Sequence, residues 1–454
     1  MTLHLAGHDL DLHPADVRRA LAAEVARTPR ALKAWYTLLV LLMAIGGVGA
    51  LFTIAPGTEV FGTTPSFEWG ILIAAYVFFA ITTSGLCLAS SLGTVFGIDM
   101  FRPLEKRHAI LAVLTLTTAF GIIALDLHYP VRMVFGAVFN PSFSSPMWWM
   151  GVFYAVYLVF LLVEVWSMFT HHDDVHRYAC LASSCTAVIA PSTLGAVFGV
   201  VLAKVFWFGL FTPIAMLVTA FLAGTSLLGI VFAVVVRLRL AGHERAGRLA
   251  IPAIRLLLAI ALVGSIVLLI RGLVVGWLSD DADLRAAVMT LIDGPSSVAF
   301  WARIAVGLVV PLVLVALPAT RTVVGTGIAS GLAFVGVILD RMLFVTTGQI
   351  VPTTTASGVV SEPYVAYTPS PVEISIVVAA FAFVAFVYTL AERYLDMREA
   401  EVHIGFHLPG VLVRAPAWFA QRREARRTAH RGAAPDAAME PGMEPVSEPG
   451  SAVP

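Results

Sequence analysis

The chain has 454 residues, of which 59% are hydrophobic and 13% charged, and its mean hydropathy is +0.88. Soluble domains carry about 25% charged residues, so the composition excludes a soluble globular protein and implies a polytopic membrane protein. The formal net charge of zero offers no electrostatic footprint for nucleic acid. Only three cysteines occur, Cys87, Cys180 and Cys185, all in apolar segments and without a CxxC; an iron–sulfur cluster held by four thiolates of this chain is excluded.

Residues 1–33 are polar and Arg-bearing and open without an apolar stretch, so no signal peptide is expected. From Pro14 to Lys33 the segment reads as a helix lying on the membrane surface. The membrane domain is expected over 34–396. Crossing a bilayer takes about 20 apolar residues. Ten stretches qualify, near 35–55, 69–92, 108–126, 148–169, 179–202, 213–236, 252–277, 298–317, 322–344 and 373–392. They are too long and too uniformly apolar for barrel strands. Backbone groups in lipid must be satisfied internally, so the predicted fold class is all-α integral membrane, with about ten transmembrane helices. The fifth and sixth stretches form one apolar block, which Lys204, Trp207 and Pro213 divide.

Charge then predicts orientation. With the N-terminus inside, the inner segments collect 23 of the 29 Lys and Arg, and the outer links carry only Arg132, Lys204 and Arg285. That asymmetry places both termini in the cytoplasm. Residues 397–430 are basic, contain Trp418 and Phe419, and read as a cytoplasmic interfacial segment; 431–454 are rich in Pro, Ala, Glu and Gly and are expected to be disordered. Small-residue patches at 80–85 and 220–224 echo each other and suit close helix approach.

Three motifs stand at the predicted outer edge. The first is Asp126-Leu-x-x-Pro-x-Arg132, followed by Asn140-Pro-x-Phe-Ser-Ser-Pro-Met-x-Trp149. The second is Arg341, Gly348-Gln349-x-x-Pro352 and Tyr367-x-Pro-Ser-x-x-Glu373. The third runs from Trp69-Gly70 through Tyr76 to Ser84-Gly85. In order and spacing these resemble the NrfD/PsrC family, quinone-reactive membrane subunits of iron–sulfur/molybdenum oxidoreductases such as polysulfide reductase. The resemblance covers roughly residues 67–395. It implies two four-helix bundles with flanking helices, in the plasma or inner membrane. It also implies a quinone, menaquinone or ubiquinone, as the redox partner in the bilayer. The protein partners implied are a ferredoxin-like iron–sulfur subunit on the outer face and, behind it, a catalytic subunit of the molybdopterin type.

A quinone needs an apolar slot, polar groups at its carbonyls and a proton route. Glu68, Tyr76 and Thr83 fall near one face of the second span, with Glu68 at its outer edge. A phenol and a carboxyl there could hold and protonate a carbonyl oxygen; the bland alternatives are an interfacial charge and the aromatic belt. Asp126, His128 and Arg132 follow at the end of the third span, and His128 can exchange protons near neutral pH. An Asp126–Arg132 pair could equally pin the link. Trp148 and Tyr154 enter the fourth span from the same side and could line the slot. Among intramembrane charges, Asp99 and Glu164 are candidates for a proton path, with a structural ion pair as the rival for each; Arg303, Asp340 and Arg341 should pair or face a polar cavity. No histidine falls mid-span, so no haem is expected in this chain.

The electron-transfer reading has two rivals. Ten spans and a weak repeat also allow a secondary transporter, but transporters bind substrate near the midplane through broken helices. Here midplane breaks are few, with Pro191 and Pro311 as candidates, and the polar residues crowd one face. A structural anchor without a quinone site would keep the same fold.

Overall fold

The computed structural model describes residues 2–5, 8–11, 28–54, 60–127, 141–170, 172–240, 242–351, 364–365, 367–395 and 397. The expected surface helix lies mostly outside these residues. His128, Arg132, the basic 398–430 segment and the C-terminal tail lie wholly outside them.

A short antiparallel hairpin, β1 (Thr2–Leu5) with β2 (His8–Asp11), comes first. The described residues then contain ten helices long and apolar enough to cross a membrane. They are α1 (Arg30–Ile54), α2 (Ile71–Thr94), α3 (Glu105–Asp126), α4 (Pro146–Thr170), α5 (Asp173–Gly199), α6 (Phe211–Arg237), α7 (His243–Trp277), α9 (Ser297–Ala316), α10 (Val323–Ile350) and α11 (Pro371–Tyr394). A short helix, α8 (Ala282–Ile292), fills the link between α7 and α9. The predicted break between the fifth and sixth spans is real: α5 stops at Gly199, and the turns through Lys204 and Trp207 lead into α6 at Phe211.

Helices α2, α3, α4 and α5 touch in a closed ring, as do α6, α7, α9 and α10, giving two four-helix bundles. The flanking pair α1 and α11 pack on each other, through Gly46 and Gly49 against Ser375 and Ala379. Burial grades these helices by role. Helix α2 is 83% buried over its apolar window, and α1 only 22%. Helix α2 is therefore wrapped by protein, whereas α1 turns Leu38, Leu41, Ile45 and Leu51 outward, as a lipid-facing helix must.

The echoed small-residue patches are the crossing of the two bundles. A side chain at Gly85 would collide with the Ala220 carbonyl oxygen, and one at Gly224 would collide with the Gly85 backbone. Backbones this close leave no room for a β-carbon on either side, and tight packing is what holds helices together in lipid. A second such crossing, Gly307 against Gly336, joins α9 to α10. There α9 is π-helical over Arg303–Val309, a widened turn that is often found at functional positions.

Alternate crossings sort the links to two ends. Residues 62–70, 204–207, 344–351 and 367–373 meet one another at one end, here called outer. Arg107 with Glu392, Glu105 with His176, and Arg255 with Thr320 meet at the inner end.

Candidate functional site

The outer end is tied together by residues far apart in the chain. Pro371 and Ser370 start α11 with a capping box, in which Ser370 accepts from Glu373 N and the Glu373 carboxylate accepts from Ser370 N at 2.7 Å. The same carboxylate also accepts from Gly62 N and Tyr367 Oη, both at 2.9 Å. Tyr367 Oη in turn accepts from Ile71 N at 2.7 Å, at the exposed amino end of α2, and its ring stacks on Phe67. Burial raises the Tyr367 hydroxyl above the ordinary phenol range, against the Ile71 N–H that lowers it. Gln349 closes a two-way amide pair with Trp69, accepting from its N and donating to its O, both at 2.9 Å. Trp69 stacks on Trp207, whose indole donates to Phe344 O at 2.7 Å. A side chain at Gly348 would strike the Trp207 ring, so glycine is required there. The Trp69-Gly70, Gly348-Gln349 and Tyr367–Glu373 motifs thus form one polar and aromatic plate across both bundles.

Beside this plate, a small half-open cleft is lined by Lys204, Phe206, Asp283, Thr347, Gly348 and Val351 among others. Burial pulls the Lys204 ammonium below the ordinary lysine range; Glu68 and Asp283 act against that shift.

Beneath the plate, in the first bundle, lie two phenols. Tyr76 is buried, and its hydroxyl reaches only the thioether of Met150, at 3.5 Å. Tyr154 is 1% exposed and points towards Ser84 Oγ, yet the hydroxyls of Tyr154 and Ser84 have no hydrogen-bond partner among the described residues. A buried hydroxyl without a partner costs roughly 1–3 kcal/mol, so these groups are set for an acceptor. A quinone carbonyl fits that requirement.

From Tyr154 a file of polar side chains runs to the inner end. Tyr157 donates to Thr83 O at 3.2 Å and lies against Cys87, which neighbours His108. His108 Nε2 meets Glu164 Oε1 at 3.2 Å, with both side chains no more than 2% exposed. Ser183 donates to Glu164 Oε2 at 2.5 Å, and Cys180 lies between Glu164 and His176. His176 Nε2 then pairs with Glu105 Oε1 at 2.8 Å, where the file reaches the inner surface. Each of these side chains can give or take a proton.

The structure unites some of the predicted residues and separates others. Asp126 lies within electrostatic reach of Glu373 and Tyr367, under the plate. Trp148 packs edge-on to Phe143 and Trp149 at the start of α4. Glu68 is exposed and faces Lys204, on the cleft side, whereas Tyr76 is buried against α4. Glu164 lies at the centre of the file. Asp99 does not join it: Gly97, at φ +70°, ends the α2 C-terminus, and Asp99 opens the following turn with its side chain 81% exposed, beside Arg102 at 3.2 Å. The expected inner link at His176 is instead the first turn of α5, which starts at Asp173 because Asp173 and Asp174 suit a helix amino end. In the second bundle, Arg303 Nη2 meets Asp340 Oδ1 at 2.5 Å, and Arg341 Nε meets Asp340 Oδ2 at 2.9 Å. The three intramembrane charges there pair with one another, as expected of such groups.

Ten apolar crossings, eight of them in two bundles, with a polar plate at one end and a buried polar file through one bundle, define a multi-pass integral membrane protein. The chain belongs to the NrfD family, described as polysulphide reductase, NrfD, which it matches over residues 59–353. It is 21% identical to a selenate reductase subunit of Mesobacillus selenatarsenatis, over 70% of this chain and 83% of the relative. It is 23% identical to the Hdr-like menaquinol oxidoreductase integral membrane subunit of Archaeoglobus fulgidus, over 79% and 92%. It is 24% identical to a putative dimethyl sulfoxide reductase membrane subunit of Halobacterium salinarum, over 81% and 92%.

Proposed function

We propose that this chain is the membrane subunit of a respiratory oxidoreductase complex, where it exchanges electrons between the quinone pool and an iron–sulfur subunit docked at its outer end. The observation that carries this reading is the pair of buried phenols, Tyr76 and Tyr154, one with a thioether as its acceptor and the other with none among the described residues. The Archaeoglobus relative, named a menaquinol oxidoreductase subunit, supports a quinone as the substrate. A quinone carries two electrons and two protons between its reduced and oxidised forms. Tyr76 and Tyr154 would hold its carbonyl by donated hydrogen bonds, and α2 and α4 would exclude water from it. Asp126 lies on the outer side of this position, near the surface where a partner cluster would receive electrons. With three cysteines, the chain leaves that cluster to the partner. The excess of Lys and Arg at the inner end favours a partner on the non-cytoplasmic side.

The same reading gives the polar file a role: it conducts protons between the phenols and the inner end, through His108 and Glu164. The direct test is a photoreactive quinone analogue bound to the intact complex. Labelled peptides from 71–94 and 146–170 are expected. Label confined to α7, α9 and α10 would overturn the placement.

A further inference from the structure

At the inner end, three different donor atoms converge. Glu105 Oε1, His176 Nε2 and Cys180 Sγ lie within 4.8 Å of one another. His176 Nε2 is 2.8 Å from Glu105 Oε1 and 3.5 Å from Cys180 Sγ. His176 and Cys180 are four residues apart on α5 and so share one face of the helix, the spacing that lets two side chains grip one ion. Glu105 comes from the first turn of α3. On the far side of the ring, Ser167 Oγ lies 3.3 Å from His176 Nδ1. This contact occupies Nδ1 and leaves Nε2 to the Glu105 side, the support that ligating histidines ordinarily have, while Cys180 Sγ lies beside the ring, 3.5 Å from Nε2 and 3.9 Å from Nδ1.

We infer that Glu105, His176 and Cys180 form a binding site for one thiophilic divalent cation of the zinc class. Bond lengths to zinc of about 2.0–2.1 Å for nitrogen and oxygen and 2.3 Å for sulfur give tetrahedral edges of roughly 3.6 Å for N–S and 3.3 Å for N–O. The Nε2–Sγ separation is close to that edge, and a rotation of the short Cys180 side chain away from Nδ1, 3.9 Å from it, brings the sulfur into line with Nε2. The glutamate–histidine separation must open by about half an ångström, which the flexible Glu105 stem allows. A sulfur, a nitrogen and one carboxylate oxygen select zinc or cobalt over magnesium or calcium, which prefer all-oxygen shells. His176 and Cys180 are 4% and 2% exposed, whereas the Glu105 side chain is 16% exposed. The glutamate side is therefore the way in and leaves a fourth position for water. Binding converts the Cys180 thiol to a thiolate and releases its proton to solvent.

The test is cobalt titration of the full-length chain purified in detergent. The wild type is expected to develop a thiolate-to-cobalt charge-transfer band that saturates at one equivalent. Cys180→Ser and His176→Gln should lose the band, and Cys185→Ser, which changes an exposed cysteine, should keep it. Zinc-edge X-ray absorption on the wild type needs no variant: one sulfur neighbour at about 2.3 Å is expected. A band that persists in Cys180→Ser, or a zinc shell of nitrogen and oxygen only, would overturn the site.

Discussion

Glu373 is fully buried at the outer end, and its described hydrogen-bond partners are all neutral donors: Gly62 N, Ser370 N and Tyr367 Oη. A carboxylate is an acceptor only, with sites for several donors, and here those donors come from two segments far apart in the chain. Glu373→Gln would aim an NH2 group at N–H donors and leave at least one of them unpaired. Removing a hydrogen bond to a buried group costs about 1–3 kcal/mol, so the variant should unfold at lower temperature in detergent. Tyr367→Phe, which frees both Ile71 N and one Glu373 oxygen, should do the same; unchanged melting in both would contradict the account of the plate. The plate residues were legible in the sequence as family motifs, but their purpose was not. Trp69, Gln349 and Glu373 meet across some 300 residues of chain, and no local periodicity reports that. His108 and His176 are similar cases. Each lies where an apolar run meets polar sequence, and only packing against α4 and α3 shows that they are buried and paired.

At the scale of the helix, length and apolarity carried almost everything. The ten spans and the break at Lys204 and Trp207 are read from composition because the bilayer sets both thickness and polarity. Helix ends were less legible. The turn at Gly97, with its positive φ, removes Asp99 from α2, although the apolar run gives little sign of it. Close crossings are partly legible: small residues recur at 80–85 and 220–224, but only the fold shows that these two patches face each other. Gly85→Leu would place a side chain where the Ala220 carbonyl already sits. We expect this variant to lose most of the folded, membrane-inserted chain, as measured by size-exclusion chromatography in detergent. Gly121→Leu, where a β-carbon would meet nothing within 4 Å, should behave as wild type. Equal yields of the two would mean that the bundles do not cross at Gly85.

For the whole molecule, the two ends have different work. The outer end is an aromatic and hydrogen-bonded plate that holds both bundles together, with Asp126 and the phenols beneath it. The inner end gathers Glu105, His176 and the Arg107–Glu392 pair. Between them the file through Glu164 crosses only the first bundle, while the charges of the second bundle neutralise one another in part through Asp340. Glu164→Gln keeps the size of the side chain but gives His108 a weaker partner and removes the file's central carboxylate. In proteoliposomes holding the complete complex, this variant should slow proton uptake from the inner end at least tenfold, with assembly intact. Unchanged uptake would remove the file from the mechanism.

The most direct measurement is quinol oxidation by the purified native complex, wild type against Tyr76→Phe, Tyr154→Phe and the double variant. Losing a hydrogen bond of about 1–1.5 kcal/mol corresponds to roughly a tenfold effect. Each single variant should therefore raise the KM for quinol or lower turnover by about that factor, and the double variant by more, with all subunits still bound. Wild-type kinetics in the double variant would show that the quinone is held elsewhere, and would contradict the placement between α2 and α4.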